Sequence, residues 1–162
     1  MAAIYEIQNI DQHFLRSHTQ LLCQSYLHWT GKHLIDGDVT RPEAVQDLFE
    51  ADFAVLAHDT QPDPVFNYAN RCAMHLFGMD WQEITQLPSR YSAEPMLQDE
   101  RASFLQRVAQ FGYVDDYAGI RIAKNGKRFL IKQATVWNLI DTKGMLSGQA
   151  AIIRDWEWLL ND

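Results

Sequence analysis

The sequence predicts an α+β fold, built on one antiparallel sheet of five strands with short helices on one face. Three observations support this class: helical apolar spacing near the N-terminus, several short capped helices in the middle, and three strand-like runs in the last third. Because the helices are grouped and do not alternate with strands, the pattern differs from a parallel βαβ sheet. We predict an N-terminal helical extension at residues 1–50 and the sheet domain at 51–158.

Two helices are predicted in the extension. Apolar residues recur at helical spacing over 11–29, and Gly31 ends this helix. Thr40 and Glu43 have the spacing of a capping box, which predicts a second short helix ending at Glu50.

The sheet domain begins with two strands and a helix. Apolar runs at 53–57 and 65–68 predict the strands, because turn-forming residues separate them. Asn70 is placed to cap a helix over 71–77, and Gly78 is placed to end it.

The remaining elements follow the same local rules. Asn125 and Gly126 form the strongest hairpin signal of the chain. We predict a short helix capped by Asp80, a helical turn at 89–94, an amphipathic helix at 98–111, and strands at 113–123, 129–140 and 145–153.

Composition limits the possible functions. At 162 residues the chain is long enough for one domain with a hydrophobic core. A net charge of −7, with no cluster of Lys and Arg, argues against nucleic-acid binding. No apolar run approaches the ~18 residues of a membrane span, and the N-terminus does not resemble a signal peptide. Two cysteines are too few for a disulfide framework, so we expect a cytoplasmic protein.

Several stretches resemble known sequences. FNYANRCAMHLFGM resembles the strand-to-helix segment of PAS domains, KNGKRFLI their charged glycine turn, and GQAAIIRDW their closing strand. More narrowly, the chain resembles the MEKHLA family, a PAS-like group that occurs as free-standing proteins and as the terminal module of plant homeodomain-zipper transcription factors. The stretches that carry this resemblance are LFEADFAVLAHDTQPDPVFNYANRCAMHLF, LPSRYSAEP, GYVDDYAGIRI and ATVWNLID.

The resemblance implies a small pocket between the sheet and the short helices. Its expected wall is apolar, with three polar groups, and Ala73 is expected on the helical turn that faces it. The candidate ligand-binding residues are Val55, Phe66, Tyr68, Asn70, Ala73, Phe77, Arg90, Ile131 and Ile153. Two alternatives stay open: Asn70 acts only as a helix cap, and the apolar residues form only a core, because pockets and cores share one sequence signature.

No cofactor or metal is predicted. Flavin-binding PAS relatives carry a reactive Cys followed by Arg, where this chain has Ser89 and Arg90. Their polar contacts to the ring edge correspond to Ile131 and Ile153, and each unpaired polar group would cost ~1–3 kcal/mol. The haem-binding relatives use a His on the long helix, which 98–111 lacks. No two histidines have the i, i+4 spacing of a helical metal pair, and there is no CxxC motif.

The sequence leaves three functions open. The first is a regulatory or sensory module, not an enzyme, that binds a small apolar or aromatic ligand or a protein partner. The second is an interaction domain whose pocket is filled by its own side chains. The third is a cone-shaped α+β isomerase or dehydratase, using His58 with Asp115 or Asp116, although two strands preceding the central helices argue against it.

A homodimer is also predicted. Leu15, Leu22 and Trp29 repeat every seven residues, the spacing of a packing seam. Trp156 and Trp158 add aromatic area typical of interfaces. The alternative is that this helix packs on its own sheet.

Overall fold

The computed structural model describes residues 6–95 and 98–160 of the chain. Its central feature is an antiparallel sheet with the strand order β2-β1-β5-β4-β3, and a sixth strand, β6, pairs with β4. The strands are β1 (Ala54–His58), β2 (Phe66–Ala69), β3 (Tyr113–Ile122), β4 (Arg128–Ile140), β5 (Leu146–Ile153) and β6 (Asp155–Trp158). The predicted α+β class and its five strands are therefore confirmed, and β6 is an addition.

The short strand β6 continues along the same side of β4 as β5. Arg154 separates the two strands, and opposite this break Gln133 of β4 has a φ of 48°. The β3–β4 register also shifts here, which is the signature of a bulge that changes the face to which side chains point. The prediction ended the last strand at Ile153 because a break of this kind depends on the partner strand.

The helices lie close to their predicted positions. They are α1 (Gln12–Thr30), α2 (Glu43–Phe49), α3 (Arg71–Phe77), α4 (Trp81–Ile84) and α5 (Gln98–Phe111), with a 3₁₀ turn at Ser89–Ser92. The predicted capping box at Thr40 and Glu43 is wrong. The Thr40 hydroxyl donates to the Asp38 carboxylate at 2.7 Å, and Pro42 caps α2 without a side-chain hydrogen bond.

A row of four residues crosses one face of the sheet. Tyr68, Ala57, Ala150 and Trp137 are direct neighbours on successive strands. Two alanines thus separate two large aromatic residues. This face has a shallow trough in which a helix can lie.

Helix α1 occupies that trough. Its His18 ring stacks on Tyr68 with centroids 5.6 Å apart, and its Tyr26 ring contacts Trp137 edge-on at 4.9 Å. Helical spacing places Leu22, which is fully buried, between these two contacts. We call this surface the α1 face.

The predicted self-association seam is therefore wrong. Leu15 and Leu22 are completely buried within the same chain. The Trp29 indole N–H donates to the Asn138 carbonyl of β4 at 2.9 Å. The apolar stripe of α1 packs on its own sheet, so α1 and the sheet domain share one hydrophobic core.

The opposite surface, which we call the α3 face, is covered by α3 and α5. Phe77 of α3 contacts Phe129 of β4 edge-on, with ring centroids 5.2 Å apart. Phe104 of α5 contacts Tyr117 of β3, also at 5.2 Å. The two aromatic pairs close this face over the part of the sheet formed by β3 and β4.

Candidate functional site

An arginine lies on the α3 face beside the 3₁₀ turn at Ser89–Ser92. Arg121 is directly opposite Phe129 across the β3–β4 pair, so both side chains are on that face. Its guanidinium donates from Nη1 to the Ser92 hydroxyl at 3.2 Å and from Nη2 to the Tyr117 hydroxyl at 3.3 Å. The guanidinium carbon also lies 5.6 Å from the centre of the Tyr117 ring. Both hydrogen-bond partners are uncharged.

The Arg121 guanidinium has no counter-charge within ion-pair distance among residues 6–95 and 98–160. Its Nε is buried and makes no hydrogen bond to any residue of that part of the chain. Glu94 follows Ala93, the β-bridge partner of Arg121, but the Glu94 carboxylate pairs with Arg128. Within the described residues, this half-buried cation is thus held only by neutral groups.

The two hydroxyl partners are themselves fixed. Ser92 ends the 3₁₀ turn, is completely buried, and donates its own proton to the Ser89 carbonyl at 2.7 Å. The Tyr117 side chain leans along β3, and a Cβ added at Gly119 would lie 2.7 Å from its hydroxyl oxygen. Glycine at this position therefore allows Tyr117 to reach Arg121.

An apolar wall adjoins this polar group. Phe77 and Phe129 form its aromatic part. Ile131 is on the same face two residues after Phe129, opposite Gly119, and is 1% exposed. Phe77, Phe129 and Ile131 are each at most 1% exposed, so a molecule reaches this wall only when these side chains repack.

The candidate ligand-binding residues divide between the two faces. Ile153 is the neighbour of Ala54, whereas Val55 is the neighbour of Ile152, which lies two residues along β5 from Ala150 and so on the same face as Ala150 and Trp137. Side chains alternate along a strand, so Ile153 lies on the α3 face with Phe77 and Ile131, and Val55 lies on the α1 face. Tyr68 stacks on α1 and also belongs to the α1 face. The prediction that these residues line one pocket is wrong for Val55 and Tyr68, because strand register is not visible in local sequence.

Asn70 is a structural hub. Its Oδ1 accepts from the backbone N–H groups of Val55 at 3.0 Å and Ala73 at 3.1 Å. Its Nδ2 donates to the carbonyls of Leu48 at 3.1 Å and Phe53 at 2.8 Å. These four bonds use the full capacity of an amide side chain. Asn70 has no donor or acceptor left for a ligand, which matches the helix-cap alternative.

The other three candidates differ in exposure. Ala73 is fully buried in the core, and Phe66 is buried at the start of β2. Arg90 is exposed at the surface, where its Nε bonds the Asp63 carboxylate at 3.0 Å and its guanidinium lies 4.1 Å from the Tyr91 ring centre. Arg90 therefore faces solvent, and Arg121 is the arginine of the α3 face.

Sequence reasoning missed Arg121, Tyr117 and Ser92. One signal was present for Arg121, which interrupts an apolar run between Ile120 and Ile122. Strand alternation alone does not show that its side chain points toward the helices, because two register shifts in β3 precede it. Nothing in the local sequence marks Ser92.

An open cavity of about 680 Å³ lies elsewhere, between α2, the connection that follows α1, and Arg154. The Arg154 guanidinium covers the Phe53 ring at 4.4 Å from its centre. Carboxylates outnumber guanidinium groups among the residues that line this cavity. Because groups of both charges line this cavity, it does not favour one class of ligand.

The residues suggested for an isomerase or dehydratase are not brought together. His58 lies on β1, whereas Asp115 and Asp116 lie on β3, and two strands separate β1 from β3. Three strand spacings amount to roughly 14 Å. Both aspartates are exposed, and Asp116 pairs with Arg107 at 2.6 Å. The geometry removes the basis for shared acid–base chemistry.

Two further kinds of site are absent from the described part of the chain. No group of three or more His, Cys, Asp or Glu residues there could hold a metal ion. No helix of those residues has the length and apolar character needed to cross a membrane.

Comparison with known proteins identifies the family. Residues 16–158 match the MEKHLA domain, a stretch that includes most of α1 and the whole sheet. The chain belongs to the MEKHLA family. This MEKHLA domain matches none of the curated proteins with which it was compared.

Solved structures show which fold the MEKHLA domain has. The PAS domain of a Colwellia psychrerythraea protein matches with a TM-score of 0.59 at 16% identity, over 70% of this chain and 93% of that chain. The LOV domain of the blue-light photoreceptor Aureochrome1 matches with a TM-score of 0.53 at 20% identity, over 76% of this chain and 87% of that chain. A chain of the light-state dimer of the fungal blue-light photoreceptor Vivid matches with a TM-score of 0.53 at 14% identity, over 96% of this chain and 97% of that chain. At these identities the similarity establishes the PAS fold.

The residues of this MEKHLA domain do not fit a flavin bound as in the light-sensing relatives. Ser89, which the resemblance matches to the reactive Cys of flavin-binding PAS domains, carries a hydroxyl in place of a thiol. Ile131 and Ile153, which the resemblance matches to the ring-edge contacts, are each 1% exposed and carry no polar atom in their side chains. The polar edge of the ring would lose its hydrogen bonds there.

Proposed function

We propose that this MEKHLA domain is a sensory regulatory module that binds a small, largely apolar or aromatic ligand on its α3 face. The observation that carries the proposal is the half-buried Arg121, which is held by neutral hydroxyls beside an apolar wall. A polar group without a full set of partners inside an apolar setting is a common feature of binding sites. The PAS fold supports a sensory role, since this fold occurs in the photoreceptors named above.

We propose binding without catalysis. The only acid–base set suggested by the sequence, His58 with Asp115 or Asp116, is spread over roughly 14 Å. The α3 face offers Arg121, Ser92 and Tyr117, which can hold and orient a ligand. A positioning role of this kind suits a receptor.

The structure also suggests how occupancy is communicated. β4 carries Phe129 on the α3 face, and it carries Trp137, which contacts Tyr26 of α1, on the other face. A ligand that repacks Phe129 would alter the strand on which α1 rests. A ligand can shift α1 from one position to another only to the extent that it binds more tightly when α1 is in the second position.

Native mass spectrometry and thermal shift test the proposal. We expect either a defined extra mass on the purified protein or a rise in Tm with a subset of small apolar and aromatic compounds. A ligand at one hundred times its Kd stabilises the native state by about 2.7 kcal/mol.

Two matched variants locate the site. Ile131→Val acts on the α3 face and Ile152→Val on the α1 face, and both residues are buried. Each truncation costs a similar ~0.5–1.5 kcal/mol of stability. We expect ligand affinity to change in Ile131→Val and to stay unchanged in Ile152→Val. Equal responses, or no bound mass and no stabilising compound, would refute the proposal.

We propose, second, that β6 provides a contact surface for a second copy of the chain. Trp158 at its end is 46% exposed while its ring contacts Phe129 at 5.1 Å, and Trp156 is half-buried. Light scattering of the native protein and of Trp158→Ser tests this, with Tyr91→Ser, at an exposed ring elsewhere, as control. A mass that does not depend on Trp158 contradicts it.

A further inference from the structure

The Arg121 guanidinium has unused hydrogen-bonding capacity. Of its five N–H groups, one reaches Ser92 and one reaches Tyr117. The Nε–H group is buried and makes no bond to any residue the structure describes. One further N–H on each Nη atom likewise has no assigned partner in that part of the chain.

The local charge is also unbalanced. The Glu94 carboxylate is already paired with Arg128, which leaves Arg121 as the uncompensated cation of the α3 face within the described residues. Removing a cation from water without a counter-ion is costly. The hydroxyls of Ser92 and Tyr117 orient the guanidinium but cannot neutralise it.

We propose that the ligand of the α3 face is a small carboxylic acid with an apolar or aromatic body, whose carboxylate pairs with Arg121. This inference rests on the proposed function and names the ligand class. The planar guanidinium presents adjacent N–H groups in the spacing that a carboxylate accepts as two parallel bonds. The apolar body then lies against Phe77, Phe129 and Ile131, which are each at most 1% exposed and therefore repack to admit it.

A carboxylate fits this site better than a phosphate. One guanidinium balances one carboxylate charge, whereas a phosphate monoester carries about −1.5 to −2 and needs several donors. The donors beside Arg121 are few, and the adjoining wall is apolar. The protein as a whole carries a net charge of −7, so attraction of an acid must come from this local cation.

The test uses matched probes on the full chain. Benzoate, phenylacetate and hexanoate are each compared with the neutral amide of the same shape, in thermal shift and titration calorimetry. We expect a carboxylate to raise Tm and its amide to have little effect. Charge-assisted bonds contribute roughly 1.5–3 kcal/mol, so the amide should bind roughly tenfold to hundredfold more weakly.

Two variants assign the effect to one arginine. Arg121→Gln removes the charge of the α3 face, and Arg90→Gln removes the exposed guanidinium that pairs with Asp63. We expect Arg121→Gln to lose the carboxylate preference and Arg90→Gln to keep it. A carboxylate preference that survives in Arg121→Gln overturns the inference.

The outcomes separate the two proposals. If amides stabilise the native protein as well as carboxylates do, the anionic group is wrong while the ligand site stands. If neither class stabilises it at millimolar concentration, the ligand site itself fails and the inference fails with it.

Ligand-free stability provides a check that needs no ligand. An unpaired, half-buried charge destabilises the fold, so Arg121→Met should match or exceed the native Tm in the absence of ligand. An arginine that serves only to brace Ser92 and Tyr117 would instead lower Tm when it is replaced. A clear loss of ligand-free Tm in Arg121→Met therefore overturns the inference.

Discussion

The imidazole of His18 stacks on the ring of Tyr68, with centroids 5.6 Å apart, and joins α1 to the first hairpin of the sheet. Burial lowers the pKa of His18 from 6.5 to about 4. Its Nε2 makes no hydrogen bond to the described residues, so nothing there compensates a proton on the ring. The contact between α1 and β2 thus depends on a neutral imidazole.

We predict that the free energy of unfolding decreases as the pH falls from 6.5 to 4. The unfolded chain takes up the His18 proton first, so the stability is complete above pH 6.5 and is lost progressively below it. The full effect is about 3 kcal/mol, from the size of the shift. Cys23 and Tyr68 do not titrate in this window, because burial raises the pKa of Cys23 to about 12 and also raises that of Tyr68.

Urea unfolding at several pH values measures this effect. His18→Phe keeps a ring against Tyr68 and should flatten the profile between pH 4 and 6.5. His13→Gln changes an exposed histidine of the same helix and should leave the profile unchanged. A profile that is equally steep in His18→Phe would assign the acid sensitivity to the carboxylates instead.

We predict that Gly112→Ala costs more stability than Gly126→Ala. Both glycines have positive φ, 81° and 84°, so the conformational cost of alanine is similar, about 1–2 kcal/mol. A Cβ at Gly112 would lie 2.2 Å from the Trp29 ring, whereas a Cβ at Gly126 meets nothing within 4 Å. Overpacking should add ~1–3 kcal/mol at Gly112 by displacing Trp29 from the Asn138 carbonyl.

Chemical denaturation of the two variants gives the difference directly. Hydrogen exchange then shows where the cost falls, and we expect faster exchange in the last turns of α1 in Gly112→Ala alone. Equal costs in the two variants would mean that Trp29 moves aside without loss.

Local signals predicted most of the elements correctly. Gly31, Asn70, Gly78 and the Asp80 capping pair are short-range features, and each ends or begins a helix as expected. Thr40 is the exception, because Asp38 competes for its hydroxyl.

Features that depend on residues far apart in the sequence were harder to predict. The division of Val55 and Ile153 between two faces follows from register with β5 and β4, which no local pattern contains. The partners of Arg121 lie 29 residues away at Ser92 and 4 residues away at Tyr117. The seven-residue spacing in α1 correctly indicated a buried stripe, but the surface that covers it is the sheet of the same chain.

We predict that Asn70→Ala lowers the free energy of unfolding by more than ~3 kcal/mol. The change removes the partner of the Val55 and Ala73 N–H groups and of the Phe53 carbonyl, each costing ~1–3 kcal/mol, whereas the Leu48 carbonyl keeps the Ala51 N–H at 3.3 Å. Asn67→Ala is the control, since the Asn67 Oδ1 is buried without a partner among the described residues. We expect that variant to stay within ~1 kcal/mol of the native protein in urea unfolding, and similar losses in both would contradict the role of Asn70 as a hub.

Leu22 and Leu27 lie on the same helix but differ in burial. Leu22 is completely buried against the sheet of its own chain, whereas Leu27 is 39% exposed. Leu22→Ala should therefore cost about 2–5 kcal/mol of stability by leaving a cavity under α1, and Leu27→Ala should cost less than ~1 kcal/mol. Because Leu22 faces the same chain, the molar mass from light scattering should be the same in the native protein and in both variants under native conditions. If Leu22→Ala instead halves that mass and leaves the unfolding free energy of the monomer unchanged, α1 packs on a second copy and the arrangement of the α1 face described above is wrong.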